Sequence, residues 1–117
     1  MRGARSTSVV AGASALLLAA AAALAADAEP VIQHEVVIKA GRIEPARIEV
    51  PAGRKLRLAL RNEGPGPAEF ENLDLRIEKV LAPGAASFVV IHPLRPGSYR
   101  FVDEFHPETA AMVIVAK

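Results

Sequence analysis

Two short stretches of this 117-residue chain hold side chains that could do chemistry together. The first is Pro67-Ala68-Glu69-Phe70-Glu71. In an extended conformation successive side chains alternate, so Glu69 and Glu71 share one face and Phe70 points the other way. The second runs from Asp103 to Glu108 and brings Asp103, Glu104, His106 and Glu108 together between two apolar runs. Asp103 and His106 are three positions apart, a spacing that lets both converge on one point if the loop curls. Carboxylates and imidazole are hard to intermediate donors that suit Fe(II), Fe(III), Cu(II), Mn(II) and Zn(II). These residues therefore spell a metal site made of Glu69, Glu71, Asp103, His106 and Glu108, with Asp103 and His106 as its leading pair. Two carboxylates side by side on a strand repel each other unless a cation or a base joins them, and Arg76 and Lys79 are the bases at hand. The competing reading is a solvated strand face for the two glutamates and a surface turn for His106 before Pro107. The chain has no cysteine, which excludes thiol redox chemistry, cysteine-zinc sites and any thiolate-ligated blue copper centre.

The elements that must position these residues read as strands. Arg47-Ile48-Glu49-Val50 alternates with period two, and in Lys55 to Asn62 the leucines 56, 58 and 60 oppose Lys55, Arg57 and Arg61. Val31 to Ile38, Arg76 to Leu81, Ser87 to Ile91, Ser98 to Val102 and Met112 to Val115 complete the set. Pro51-Ala52-Gly53, Gly64-Pro65-Gly66-Pro67, Pro83-Gly84 and Pro96-Gly97 punctuate it. About seven short strands at this spacing predict an all-β fold, an antiparallel sandwich or barrel. Its expected core includes Val37, Ile48, Val50, Leu56, Leu58, Leu60, Phe70, Leu75, Ile77, Phe88, Val90, Tyr99, Phe101 and Ile114. Met112 begins an apolar strand and reads as core packing, with a soft metal ligand as the alternative.

The first residues belong to a different category. Arg2 and Arg5, an apolar run from Val9 to Leu24 and the small residues around Ala23-Leu24-Ala25 predict a secretory signal peptide over 1–26, followed by one domain over 27–117. The alternative for that run is an uncleaved membrane anchor. Without Arg2 and Arg5 the formal charge moves from +1 to about −1. Basic residues are scattered and the chain is poor in aromatic residues, which argues against nucleic-acid binding. No Gly-x-Ser-x-Gly elbow is present, and so small a domain offers little cleft for a glycosidase pair.

The order of these motifs resembles the cupredoxins. Asn62-Glu63-Gly64-Pro65-Gly66-Pro67-Ala68-Glu69-Phe70 is similar to the turn and strand that carry the first histidine ligand in that family, with Glu69 in the histidine's place. The run Tyr99 to Val115 is similar to the segment that carries cysteine, histidine and methionine, with Asp103 at the cysteine position and His106 at the histidine position. Together with Glu78-Lys79-Val80, Pro96-Gly97-Ser98-Tyr99 and Phe105-His106-Pro107-Glu108-Thr109, the chain resembles a cysteine-free cupredoxin-like component of bacterial ferrous-iron uptake systems. That resemblance implies an antiparallel Greek-key β-sandwich and a periplasmic protein that binds copper or iron and assists Fe(II) uptake or oxidation. It implies as partners an iron-binding periplasmic protein and a membrane permease. A copper carrier without redox turnover and a non-metal interaction module are the competing functions.

Overall fold

In the computed structural model of the chain, residues 29–117 are described; the expected leader over 1–26 lies outside them. Nine strands follow one another: β1 (Ile32–Lys39), β2 (Arg42–Glu44), β3 (Arg47–Val50), β4 (Leu56–Asn62), β5 (Ala68–Asn72), β6 (Ile77–Leu81), β7 (Ala86–Ile91), β8 (Gly97–Asp103) and β9 (Ala111–Ala116). They form two sheets, a four-stranded one in the order β2-β1-β4-β7 and a five-stranded one in the order β3-β9-β8-β5-β6. The all-β sandwich expected from the alternation is thus present. Its strand count is higher because the three-residue β2 is too short to show a period and β5 lies in the acidic segment.

Not every pairing is antiparallel. β1 runs parallel to β4, with Ile32 opposite Leu56 and Val36 opposite Leu60, and β3 runs parallel to β9, with Ile48 opposite Ile114. Both pairs join strands that are not consecutive, so no hairpin imposes the antiparallel direction on them.

The core is the inner face of both sheets. Leu56, Leu58 and Leu60 of β4, Phe70 of β5, Phe101 of β8 and Ile114 of β9 are fully buried. Phe70 stacks on Phe101 with ring centroids 5.0 Å apart. Met112 is buried in the same cluster. Leu75, Ile77 and Tyr99 are half-buried and pack against that cluster, and three expected core residues stand elsewhere. Val37 is only half-buried, and Phe88 and Val90 are exposed, while Val36, Ile38, Val89 and Ile91 are buried instead. Val36-Val37-Ile38 and Phe88-Val89-Val90-Ile91 are apolar at both parities, so their own pattern cannot choose a face. The register against β4 chooses it: Val89 lies opposite Leu58 and Ile91 opposite Leu56, whereas Val90 lies opposite Arg57.

Candidate metal centre

β5 is the strand that divides the acids from the core. Ala68 and Phe70 face inward and are buried; alternation sends Glu69 and Glu71 to the outer face of the five-stranded sheet. The neighbouring β6 runs antiparallel, which places Glu78 directly opposite Glu71 and Val80 opposite Glu69. Carboxylate oxygens of Glu69, Glu71 and Glu78 all lie within 4.8 Å of one another. Glu104 follows β8 at the same corner, its backbone N–H donating to the Glu69 carbonyl oxygen at 2.8 Å.

The electrostatics follow from this crowding. The Glu78 carboxyl, within hydrogen-bonding reach, is the main reason Glu69 is pushed up to about 7, with desolvation and the charges of Glu71 and Glu104 adding to it. Burial raises the Glu71 carboxyl, and the Glu104 carboxyl beside it raises it further. Among the described residues none of these four acids has an ion pair with a lysine or arginine. Acids elsewhere on the surface do. Glu49 is held by Arg47 and Lys117, and Glu63 by Arg61 and Lys39. Neither candidate base fills the gap. Lys79 lies opposite Phe70 on the inward-facing register, and Arg76 sits in the turn before β6.

Asp103 and His106 form a second group on the other side of the sheet. Asp103 ends β8 opposite Phe70 and is 1% exposed. Its Oδ1 accepts from the backbone N–H of Glu69 at 2.9 Å and of Phe105 at 3.1 Å. Its Oδ2 lies 3.2 Å from His106 Nδ1. The loop is shaped by its own backbone, with His106 N–H donating to the Asp103 carbonyl and Ala110 N–H to the His106 carbonyl. The imidazole lies against Gly41, where a Cβ would stand 3.3 Å from Cδ2. A cavity of about 370 Å³ opens beside it, lined among others by Asn62, Pro65, Pro67, Ala68, Asp103 and His106. Asn62 shapes its wall: its amide donates to the carbonyls of Gly66 and Leu81, and its Oδ1 accepts from Gly64 N–H.

The expected residues are therefore brought together as two sets rather than one. Glu69 and Glu71 join Glu78 and Glu104 outside the sheet. Asp103 and His106 pair at the end of the sandwich, and the β5 residue that shares their cavity is Ala68, not Glu69. Glu108 is exposed and belongs to neither set. The physical reason is parity: Asp103 is register-paired with inward-facing Phe70, so its side chain leaves the sheet on the side opposite to Glu69 and Glu71. Sequence reasoning missed Glu78. A hairpin from Asn72 to Ile77 with an in-register partner strand would have placed it, but the turn residues carry no Asn-Gly or Asp-Gly signal.

The chain matches the Cupredoxin-like domain family over residues 8–116 and belongs to it. It is 33% identical over 85 residues to an uncharacterized protein of Rickettsia prowazekii (strain Madrid E), covering 73% of this chain and 68% of that one. Solved structures of the same fold include auracyanin from Roseiflexus castenholzii, at 12% identity and a TM-score of 0.61, covering 76% of this chain and 99% of that one. Auracyanin A from Chloroflexus aurantiacus, described as a blue copper protein, has 11% identity and a TM-score of 0.62, covering 75% and 100%. A purple cupredoxin from Nitrosopumilus maritimus has 16% identity and a TM-score of 0.53, covering 71% and 98%.

The fold is thus that of copper-binding proteins, and the residues present do not fit a thiolate-ligated copper. No cysteine exists, the strand position beside His106 is an alanine, and both Asp103 oxygens are engaged in hydrogen bonds. A single imidazole remains. The outer carboxylate cluster, by contrast, suits a hard cation with oxygen ligands.

Proposed function

We propose that this protein binds iron or copper in the periplasm through the carboxylate cluster, as an accessory of ferrous-iron uptake beside an iron-binding periplasmic protein and a membrane permease. The observation that carries the metal reading is the set Glu69, Glu71, Glu78 and Glu104, crowded together with no basic partner among the described residues. Like charges held this close raise one another's proton affinity. A cation placed among them relieves the repulsion, and oxygen-only ligands suit iron better than Cu(I). The uptake role rests on the resemblance of the motifs to that family.

One observation favours a copper carrier as the second reading. When Nδ1 of His106 carries the proton it donates to Asp103, which leaves the Nε2 lone pair free as a nitrogen donor. A carboxylate behind a ligating histidine is a common supporting arrangement.

Equilibrium dialysis with elemental analysis tests both. Wild-type protein should retain Fe(II) (under anaerobic conditions) or Cu(II). The Glu69→Gln/Glu71→Gln/Glu78→Gln variant should lose it, and His106→Ala should lose it only under the carrier reading. Metal retention unchanged in the triple glutamine variant would remove the carboxylate centre. Oxygen uptake with Fe(II) and copper above the free-metal blank distinguishes oxidation from carriage.

A further inference from the structure

Among the described residues the two sheets end in four edges: β2 and β7 in one, β3 and β6 in the other. A free strand edge is a template for another strand, and folded proteins blunt it with charges, prolines or short length. Three of these edges are blunted so. β2 has three residues, Arg42 and Glu44 at its ends and Pro45 directly after it. β3 carries Arg47 and Glu49 and runs into Pro51. β6 carries Glu78 on one face and Lys79 on the other. β7 is different: Ala86–Ile91 has neither charge nor proline, and its outer face presents Phe88 at 45% and Val90 at 40% exposure. Those two side chains would belong in a core by type, and the register with β4 turns them outward.

We propose that β7 is a dimer interface: it pairs antiparallel with β7 of a second copy about a twofold axis at Val89, fusing two four-stranded sheets into one continuous sheet. In that register Phe88 faces Val90 of the other copy and Val90 faces its Phe88, so the exposed apolar residues cover each other on the same face. Aromatic against β-branched is a favourable cross-strand pair. A slip by one residue would set outer residues against inner ones and lose this match.

Charge permits a second copy here. The neighbouring charges on that face belong to β4: Arg57, opposite Val90 and stacked on Phe88 at 4.2 Å, and Arg61, opposite Ala86 and ion-paired with Glu63. In the dimer the arginines of one copy stand at least three strand spacings, about 14 Å, from those of the other. That exceeds the screening length of about 8 Å at physiological salt, so they do not repel effectively. The arrangement also closes at two copies, as an isologous contact must. One edge strand covers less than the roughly 1,200 Å² of a tight complex, so the dimer is a weak, concentration-dependent one.

Sedimentation velocity on the purified protein tests this. Wild type should shift from monomer at about 5 μM to dimer at about 500 μM, the range expected of so small an interface. Phe88→Glu/Val90→Glu should keep its far-ultraviolet dichroism and remain monomeric, because like charges then oppose each other across the seam. Mixing it with Phe88→Lys/Val90→Lys should restore a dimer-sized species. A wild type that stays monomeric at every concentration, a glutamate variant that still dimerises, or association that grows past two copies each overturns the proposal.

Discussion

Replacing Asp103 probes the wiring between the two groups of candidate ligands. Its buried Oδ1 accepts two backbone N–H groups, those of Glu69 and Phe105. Asp103→Ala leaves both donors without a partner. Each orphaned donor costs about 1–3 kcal/mol, and loss of the contact to half-exposed His106 adds little, so the sum is about 4 kcal/mol. Against a typical total of about 5–15 kcal/mol for a domain, that is a severe loss. At about 4–8 °C per kcal/mol for a domain of this size, Tm should fall by about 15–30 °C. Asp103→Asn retains an acceptor for both N–H groups and changes only the group facing His106 Nδ1, so it should cost about 1 kcal/mol. Urea unfolding followed by circular dichroism measures both. Because neither Asp103 oxygen points to the outer cluster, Asp103→Asn should also leave cation retention by Glu69, Glu71 and Glu78 unchanged. If Asp103→Ala costs less than 1 kcal/mol, the buried carboxylate does not organise this corner. If Asp103→Asn abolishes cation retention, the division into two groups is wrong.

Glu69 and Glu71 titrate above the ordinary range in the folded protein, so the folded state holds protons that the unfolded chain has already lost. Stability should therefore fall as pH rises from about 4.5, where unfolded glutamate titrates, through about 7 for Glu69, and level off above that. Glu69→Gln should flatten this fall in a series of thermal melts. A bound cation removes the same penalty, so metal should raise Tm at pH 7.5 and have no effect at pH 4.5; equal shifts at both values would contradict a carboxylate site. Glu78→Lys supplies the missing base: it should lower the titration of Glu69 and Glu71 in carboxyl NMR and eliminate metal binding. Gly41→Ala places a Cβ at φ +73° and 3.3 Å from the His106 ring. It should cost about 1–2 kcal/mol from backbone strain and shift the His106 ring resonances, and an unmoved ring would show that the packing on Gly41 is loose.

The sequence by itself determined the class of fold and the two acidic stretches. Leu56, Leu58 and Leu60 alternate with Arg57, Ala59 and Arg61, and a period of two with proline-glycine punctuation leaves an antiparallel sandwich or barrel. The absence of cysteine excluded a blue copper centre before any geometry was known. Local spacing also correctly set Glu69 and Glu71 on the face opposite Phe70. Tertiary structure decided what stands next to these residues, because strand pairing is a long-range property. Parity with Phe70 sent Asp103 inward and away from the glutamates. Antiparallel pairing of β6 brought in Glu78, and the end of β8 brought in Glu104. In apolar runs such as Phe88 to Ile91 both parities look alike, and only the register with β4 selects which residues are buried and which are left at the open edge.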